Sequence, residues 1–237
     1  MKKLTLVLLI FASMSSFSNS AANQPKTIKV PYIEGLEKMS DSDMDSTLRE
    51  KGSAGRIDVL NWPEAFAYCP QTEFHIARCG EGIAVLFDVT GKDLRAVALE
   101  DNGRSWEDSC CEMFISADGK GYFNIETTCI GSVLIAFGEG RGNRVKLPAE
   151  EVAKVCRHSS LEHKVWELEG GEHSWSLCIL VPYEVLGLNA DKLPSSVKGN
   201  FYKCADLAAT PHYVTWSPIG TDNPDFHRPE WFGTLEF

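Results

Sequence analysis

CCEMFISADGKGYFNIETTC, residues 110–129, is the stretch that decides the fold. Two runs of alternating character, 110–116 and 122–129, flank Asp118-Gly119 and Gly121, residues that tolerate the backbone conformations of a tight reversal, so the stretch reads as a β-hairpin. Successive strand side chains point to opposite faces. Cys111, Met113 and Ile115 then share one face, which reads as core, while Cys110, Glu112 and Phe114 share the other. On the second run Tyr122, Asn124 and Glu126 oppose Phe123, Ile125 and Thr127. If the two runs pair, Asn124 and Glu126 lie beside Glu112, a polar cluster on a sheet face that suits a sugar, a calcium ion or plain water.

The same rhythm continues outward. Short apolar or alternating runs recur between Gly, Asn, Asp and Pro breaks at 73–78, 82–89, 94–99 and 132–137, and again at 175–181, 200–206, 212–216 and 232–237. Only 149–156 (AEEVAKVC) and a turn at 183–188 after Pro182 read as helical, too little for alternating β/α units. The expectation is an all-β protein, an antiparallel β-sandwich (jelly-roll-like) with one or two short helices. Its domain is expected over 56–237, since such sandwiches reach this size as single units. Residues 23–55, with the acidic stretch SDSDMDS at 40–46, read as a flexible, exposed leader carrying an edge strand near 27–32.

Residues 1–22 read as a signal peptide: Lys2 and Lys3, an apolar run from Leu4 to Phe11, then small residues around Ser20 to Ala22. That run is shorter than the ~20 residues a bilayer span needs, and the first cysteine, Cys69, comes too late for a lipid anchor. An exported protein, periplasmic or extracellular and without a membrane span, is expected. The formal charge is −10, with 33 acidic against 23 basic residues, which argues against a nucleic-acid partner. Eight cysteines allow disulfides in an exported chain but are too sparse for a disulfide scaffold, and their spacing gives no pairing. With no CxxC and with Cys110 and Cys111 on opposite faces, a four-thiolate zinc site is not expected.

Two distant segments carry the candidate chemistry: SWEDSCCEMFI at 105–115 and WSPIGTDNPDFHRPEWFG at 216–233. Each sets flat aromatics beside hydrogen-bonding groups, which is what a sugar demands, because its ring has an apolar C–H face and a rim of hydroxyls. Taken alone, Glu112 fits an ordinary salt-bridged sheet glutamate and Trp106 fits core. The second segment is harder to explain as scaffold. Asp222, Asn223, Asp225, Phe226, His227, Arg228 and Trp231 crowd one loop, and loops on a rigid sandwich are where binding residues gather. Trp231 and Phe232 read as plugs for the end of the sandwich.

The Trp106–Glu112 spacing, the Tyr-Phe-Asn strand that follows it, YKCAD at 202–206, HYVTWSPI at 212–219 and DFHRPEWFG at 225–233 together resemble the family 9 carbohydrate-binding modules, over roughly 57–237. The resemblance implies a β-sandwich that clamps a terminal sugar, often a reducing end, between two aromatic side chains. Trp106 matches the first aromatic and Glu112 the hydrogen-bonding acid. Phe226 holds the place of the second aromatic, a tryptophan in the family, with Asn223 near the loop's amide. The sheet's basic residue has no clear counterpart, Asn124 being the nearest polar match, and His227 and Arg228 are donors that can compensate. No cofactor is required; structural calcium is known in the family, but its ligands do not map onto this chain.

The resulting expectation is an exported protein that binds a mono-, oligo- or polysaccharide, alongside a glycoside hydrolase, in polysaccharide breakdown without catalysing it. A xylanase-like glycoside hydrolase using Glu112 with Glu126 or Asp108 is the main alternative, since a carboxylate pair about 5 to 10 Å apart can hydrolyse a glycoside. A haem-binding sandwich is a second, weakened because Met113 falls in the core and no c-type attachment motif occurs. A purely structural surface protein, with Trp106 and Phe226 buried, is a third.

Overall fold

The computed structural model describes residues 24–237; the expected signal peptide lies outside them. In chain order the strands are β1 (Thr27–Lys29), β2 (Ser53–Arg56), β3 (Gln71–Arg78), β4 (Gly82–Gly91), β5 (Leu94–Ala96), β6 (Cys110–Ser116), β7 (Tyr122–Thr128) and β8 (Val133–Gly138). They continue with β9 (Val145–Lys146), β10 (Cys156–Ser159), β11 (Trp166–Leu168), β12 (His173–Pro182), β13 (Ser196–Cys204), β14 (Tyr213–Thr215) and β15 (Gly233–Glu236). Helices α1 (Asp41–Lys51) and α2 (Ala149–Val152) complete the chain.

Two sheets stack into a sandwich. One has the order β1-β15-β13-β6-β7-β8-β9 with β14 also on β13; the other runs β10-β12-β4-β3-β2, and β5 and β11 form a small ribbon. All pairings between these strands are antiparallel except β1 with β15, which is parallel. The β6–β7 hairpin forms at the expected place: Gly119 adopts φ +75°, Lys120 N–H donates to Asp118 Oδ1 at 3.0 Å and Ser116 Oγ donates to the Gly121 carbonyl at 2.6 Å.

The expected alternation holds on β6. Cys111, Met113 and Ile115 face the interior with Phe201 and Ile125, opposite Phe74, Val85, Phe87 and Ile179 of the other sheet. Phe74 and Phe201 stack across the gap with centroids 4.2 Å apart, and the edge of Trp216 meets both rings. Burial of this size, at about 25 cal/mol per Å² of apolar surface, is what holds the two sheets together.

The segment expected as an irregular leader is built differently. Ser40 caps α1 by accepting from Asp43 N–H at 3.3 Å, Asp41 and Asp43 occupy its first turn, and Arg49 and Lys51 its last, so charges and backbone dipole agree. Met44 and Leu48, one turn apart, are buried with Ile33 and Leu36 against Ala84, Leu86, Cys178 and Leu180 on the outer face of the second sheet. The leader is therefore packed and helical over 41–51. Only two apolar residues mark the buried stripe, and the surrounding serines and aspartates hid it.

Candidate functional site

The outer face of the first sheet carries a separate aromatic layer: Cys110, Phe114, Tyr122, Tyr202, Cys204, Phe226 and Phe232, with Trp106, Tyr213 and Trp231 half-buried at its margin. Beside it opens a cleft of about 360 Å³, within the ~300–1,000 Å³ of small-molecule sites. Its floor is Glu112 of β6, Asn124 and Glu126 of β7, Leu134 and Ala136 of β8 and Cys204 of β13. Trp106, Asp206 and Tyr213 line it as well, as do Pro224 to His227 and the basic side chains Arg141, Arg144 and Lys146.

Trp106 is held by its backbone. It lies in a 3-10 turn, Ser105–Glu107, and its carbonyl accepts from Asp206 N–H at 3.0 Å. Just after it the buried Asp108 pairs with Arg95 and accepts from Val97 and Ala98 N–H, both at 2.7 Å. Asp108 is thereby spent on structure and does not line the cleft. The indole stays half-exposed, with the Arg104 guanidinium 5.6 Å from its ring centroid.

Glu112 and Glu126 sit directly opposite each other in the β6–β7 register and are both buried. Cys204 Sγ donates to Glu112 Oε1 at 3.1 Å, and Asn124 Nδ2 donates to Glu126 Oε1 at 2.7 Å, while Glu126 Oε2 has no partner. Burial pushes both carboxyls up, because the charged form loses its hydration. Glu126 rises to about 7, Asn124 and Arg144 holding it back, and Glu112 rises well above the usual carboxylate range, driven further by Cys204 and Glu126. The direction of this shift favours the protonated form of Glu112, which can donate as well as accept.

Arg144 spans the floor. Its Nε donates to Asn124 Oδ1 at 2.8 Å, its terminal nitrogens reach the Gly140 carbonyl at 2.9 Å and the Tyr122 carbonyl at 2.8 Å, and its guanidinium stacks 4.2 Å over the Tyr122 ring. His227 Nδ1 is 2.9 Å from Tyr122 Oη. Burial first, then Arg144 and Arg141, lower its pKa to about 3, so this imidazole is neutral.

Of the sequence-predicted residues, Trp106, Glu112, Asn124, Phe226 and His227 line the cleft. Phe226 is only 8% exposed, with one ring face stacked on Tyr202 at 4.2 Å and 10°. Asn223 and Arg228 do not line it: Asn223 is exposed nearby, and Arg228 is tied to Glu230 at 2.7 Å and more loosely to Asp225. Sequence reasoning overlooked Arg141, Arg144 and Lys146, which the β8–β9 turn brings over the sheet, and Asp206 and Tyr213. The signal for the first group was three basic residues within 141–146, inside a Gly-rich break that reads as an ordinary loop.

Two clusters of three donor side chains occur among the described residues, Cys110–Glu112–Cys204 under the cleft and Asp45–His158–Cys178 on the other sheet. Both contain thiols and neither is the all-oxygen set that calcium takes, so neither fits calcium.

The profile of Carbohydrate-binding family 9 matches residues 42–237. Among solved structures, a candidate carbohydrate-binding protein from Bacteroides uniformis is 36% identical, superposes with a TM-score of 0.84, and the match covers 90% of this chain and 100% of that one. A family 9 carbohydrate-binding module from Caldicellulosiruptor kristjanssonii in complex with glucose has a TM-score of 0.54 at 12% identity, covering 89% and 95% of the two chains. The same organism's module in complex with cellotriose gives 0.50 at 12%, covering 89% and 93%; at this identity the likeness speaks for the fold alone. Comparison with curated proteins gives no match. With its sandwich, its aromatic-edged cleft and a family match over most of its length, this chain belongs to carbohydrate-binding family 9.

Proposed function

We propose that the cleft binds a saccharide, stacking its apolar ring face on Trp106 and gripping its hydroxyls with Glu112, Asn124, Arg144 and His227. The observation that carries this reading is a half-exposed indole beside a floor that offers both acceptors and donors. Sugar hydroxyls both give and take hydrogen bonds, so a floor with carboxyl groups, an amide, a guanidinium and a neutral imidazole meets them in either role. Phe226 contributes an edge of the wall, and Asn223 and Arg228 support the loop that carries it.

The protein, in this reading, is exported and non-catalytic, and serves polysaccharide breakdown beside a glycoside hydrolase by holding chain ends, reducing ends of plant-type glycans among them. The hydrolase alternative asks for one raised carboxyl and one ionised partner. Glu112 and Glu126 are both raised by the same burial, rather than one raised and the other left fully ionised, which favours binding. A glycan array probed with the wild-type protein tests the reading. Binding concentrated on one saccharide class supports it, and a blank array across neutral and acidic glycans refutes it.

A further inference from the structure

On the opposite sheet, where side chains from the first half of α1 reach β10 and β12, three different donor atoms converge. His158 Nε2 is 2.8 Å from Asp45 Oδ1, and Cys178, the direct cross-strand partner of His158, brings its thiol within 4.8 Å of the same carboxylate. Asp45 Oδ, His158 N and Cys178 Sγ all lie within 4.8 Å of one another. Two more groups complete the surroundings: Met44 Sδ is 3.7 Å from Cys178 Sγ, and Asp41 Oδ1 is 3.4 Å from His158 Nδ1. Arg49, one helical turn on from Asp45, is engaged with Asp88 at 2.7 Å.

Asp45 receives a hydrogen from the imidazole, and the Cys178 thiol lies beside the pair with its own hydrogen turned to Met44 Sδ. A divalent cation of intermediate softness would take the place of the imidazole and thiol protons among these three donors, since zinc takes carboxylate oxygen, imidazole nitrogen and thiolate sulfur together. Bond lengths of about 2.0–2.3 Å in a tetrahedron set donor atoms roughly 3.3–3.6 Å apart. The Asp45–His158 pair need open by only about half an ångström to meet that spacing. The acid and imidazole side chains are 17% and 20% exposed, so an ion has a way in, while Cys178 is buried.

We propose that Asp45, His158 and Cys178 form a zinc-type metal site that pins α1 to the sandwich, with water as the fourth ligand. Binding releases the Cys178 thiol proton to solvent and moves the imidazole proton to Nδ1, where Asp41 accepts it, so carboxylate and thiolate balance the two positive charges. The site is independent of the sugar cleft.

Cobalt(II) titration of the full chain, read by thiolate-to-metal charge-transfer absorption, tests it, with calorimetry for zinc. We expect one equivalent with the thiolate band, no band in Cys178→Ser, and at least tenfold weaker zinc binding in Asp45→Asn and in His158→Gln, whose partly exposed positions keep the fold. Cys156→Ser and Cys110→Ser should retain the band. A wild-type protein without the band overturns the proposal, and so does a band that persists in Cys178→Ser or zinc affinity unchanged in both Asp45→Asn and His158→Gln.

Discussion

Replacing Glu126 with glutamine should change how stability depends on pH more than it changes stability itself. In the unfolded chain the Glu126 carboxyl ionises near its ordinary 4.5, whereas in the fold burial holds the proton to about 7. The unfolded state therefore gives up its proton first, and the protein loses stability as pH rises from about 4.5 to about 7, with little further change above. At about 1.36 kcal/mol per unit, that shift costs about 3 kcal/mol at pH 8 relative to pH 4. For a domain of this size each kcal/mol moves the melting temperature by about 2–4 °C, so the effect is roughly 6–12 °C. His212 and His227, both lowered to about 3 by burial, act in the opposite sense, because the unfolded imidazoles take up protons below about 6.5. The wild-type profile is a sum, and the informative quantity is the difference between wild type and Glu126→Gln. Thermal unfolding of both at pH 4.5 and pH 8 should show the variant gaining on the wild type by several degrees at the higher pH. Parallel profiles, with the gap constant to within about a degree, would refute a buried, protonated Glu126.

Other substitutions separate scaffold from site. Leu48→Ala removes a fully buried side chain of α1 and should cost about 2–5 kcal/mol in urea unfolding, whereas a loosely attached leader would register almost nothing. Phe226→Ala should likewise cost about 3–5 kcal/mol because its ring is stacked on Tyr202; an unfolding midpoint equal to wild type would show that the ring is free. Arg144→Lys should weaken saccharide binding roughly ten- to hundredfold even though charge is kept, since an ammonium lacks the planar fork that spans Asn124 and the Gly140 and Tyr122 carbonyls together; equal affinity on calorimetry would remove Arg144 from the site.

The strands were legible because their side chains obey a period of two. Met113 and Ile125 alternate with Glu112 and Glu126, and that pattern, given the pairing of the two strands, puts both glutamates on one sheet face. Pairing β6 with β7 followed from the Asp118-Gly119 turn. Helix α1 was not legible because its inward stripe is only Met44 and Leu48 among serines and aspartates that by themselves favour turns and caps. Arg144 escaped for a different reason. It lies 20 residues from Asn124, and only the β7–β8–β9 meander brings its guanidinium back over the strand. The covering of Phe226 by Tyr202 is also a tertiary fact, set by a loop folding onto β13, and no local pattern announces it.

The central claim is that Trp106 and the floor beside it hold a sugar. Calorimetric titration of wild type and Trp106→Ala with glucose, xylose and short cello- and xylo-oligosaccharides tests it most directly. The account predicts saturable wild-type binding to at least one of these sugars and a loss of about 1–3 kcal/mol, roughly ten- to hundredfold in affinity, in the variant. Wild-type protein that binds none of them, or a variant that binds as tightly as wild type, would contradict it.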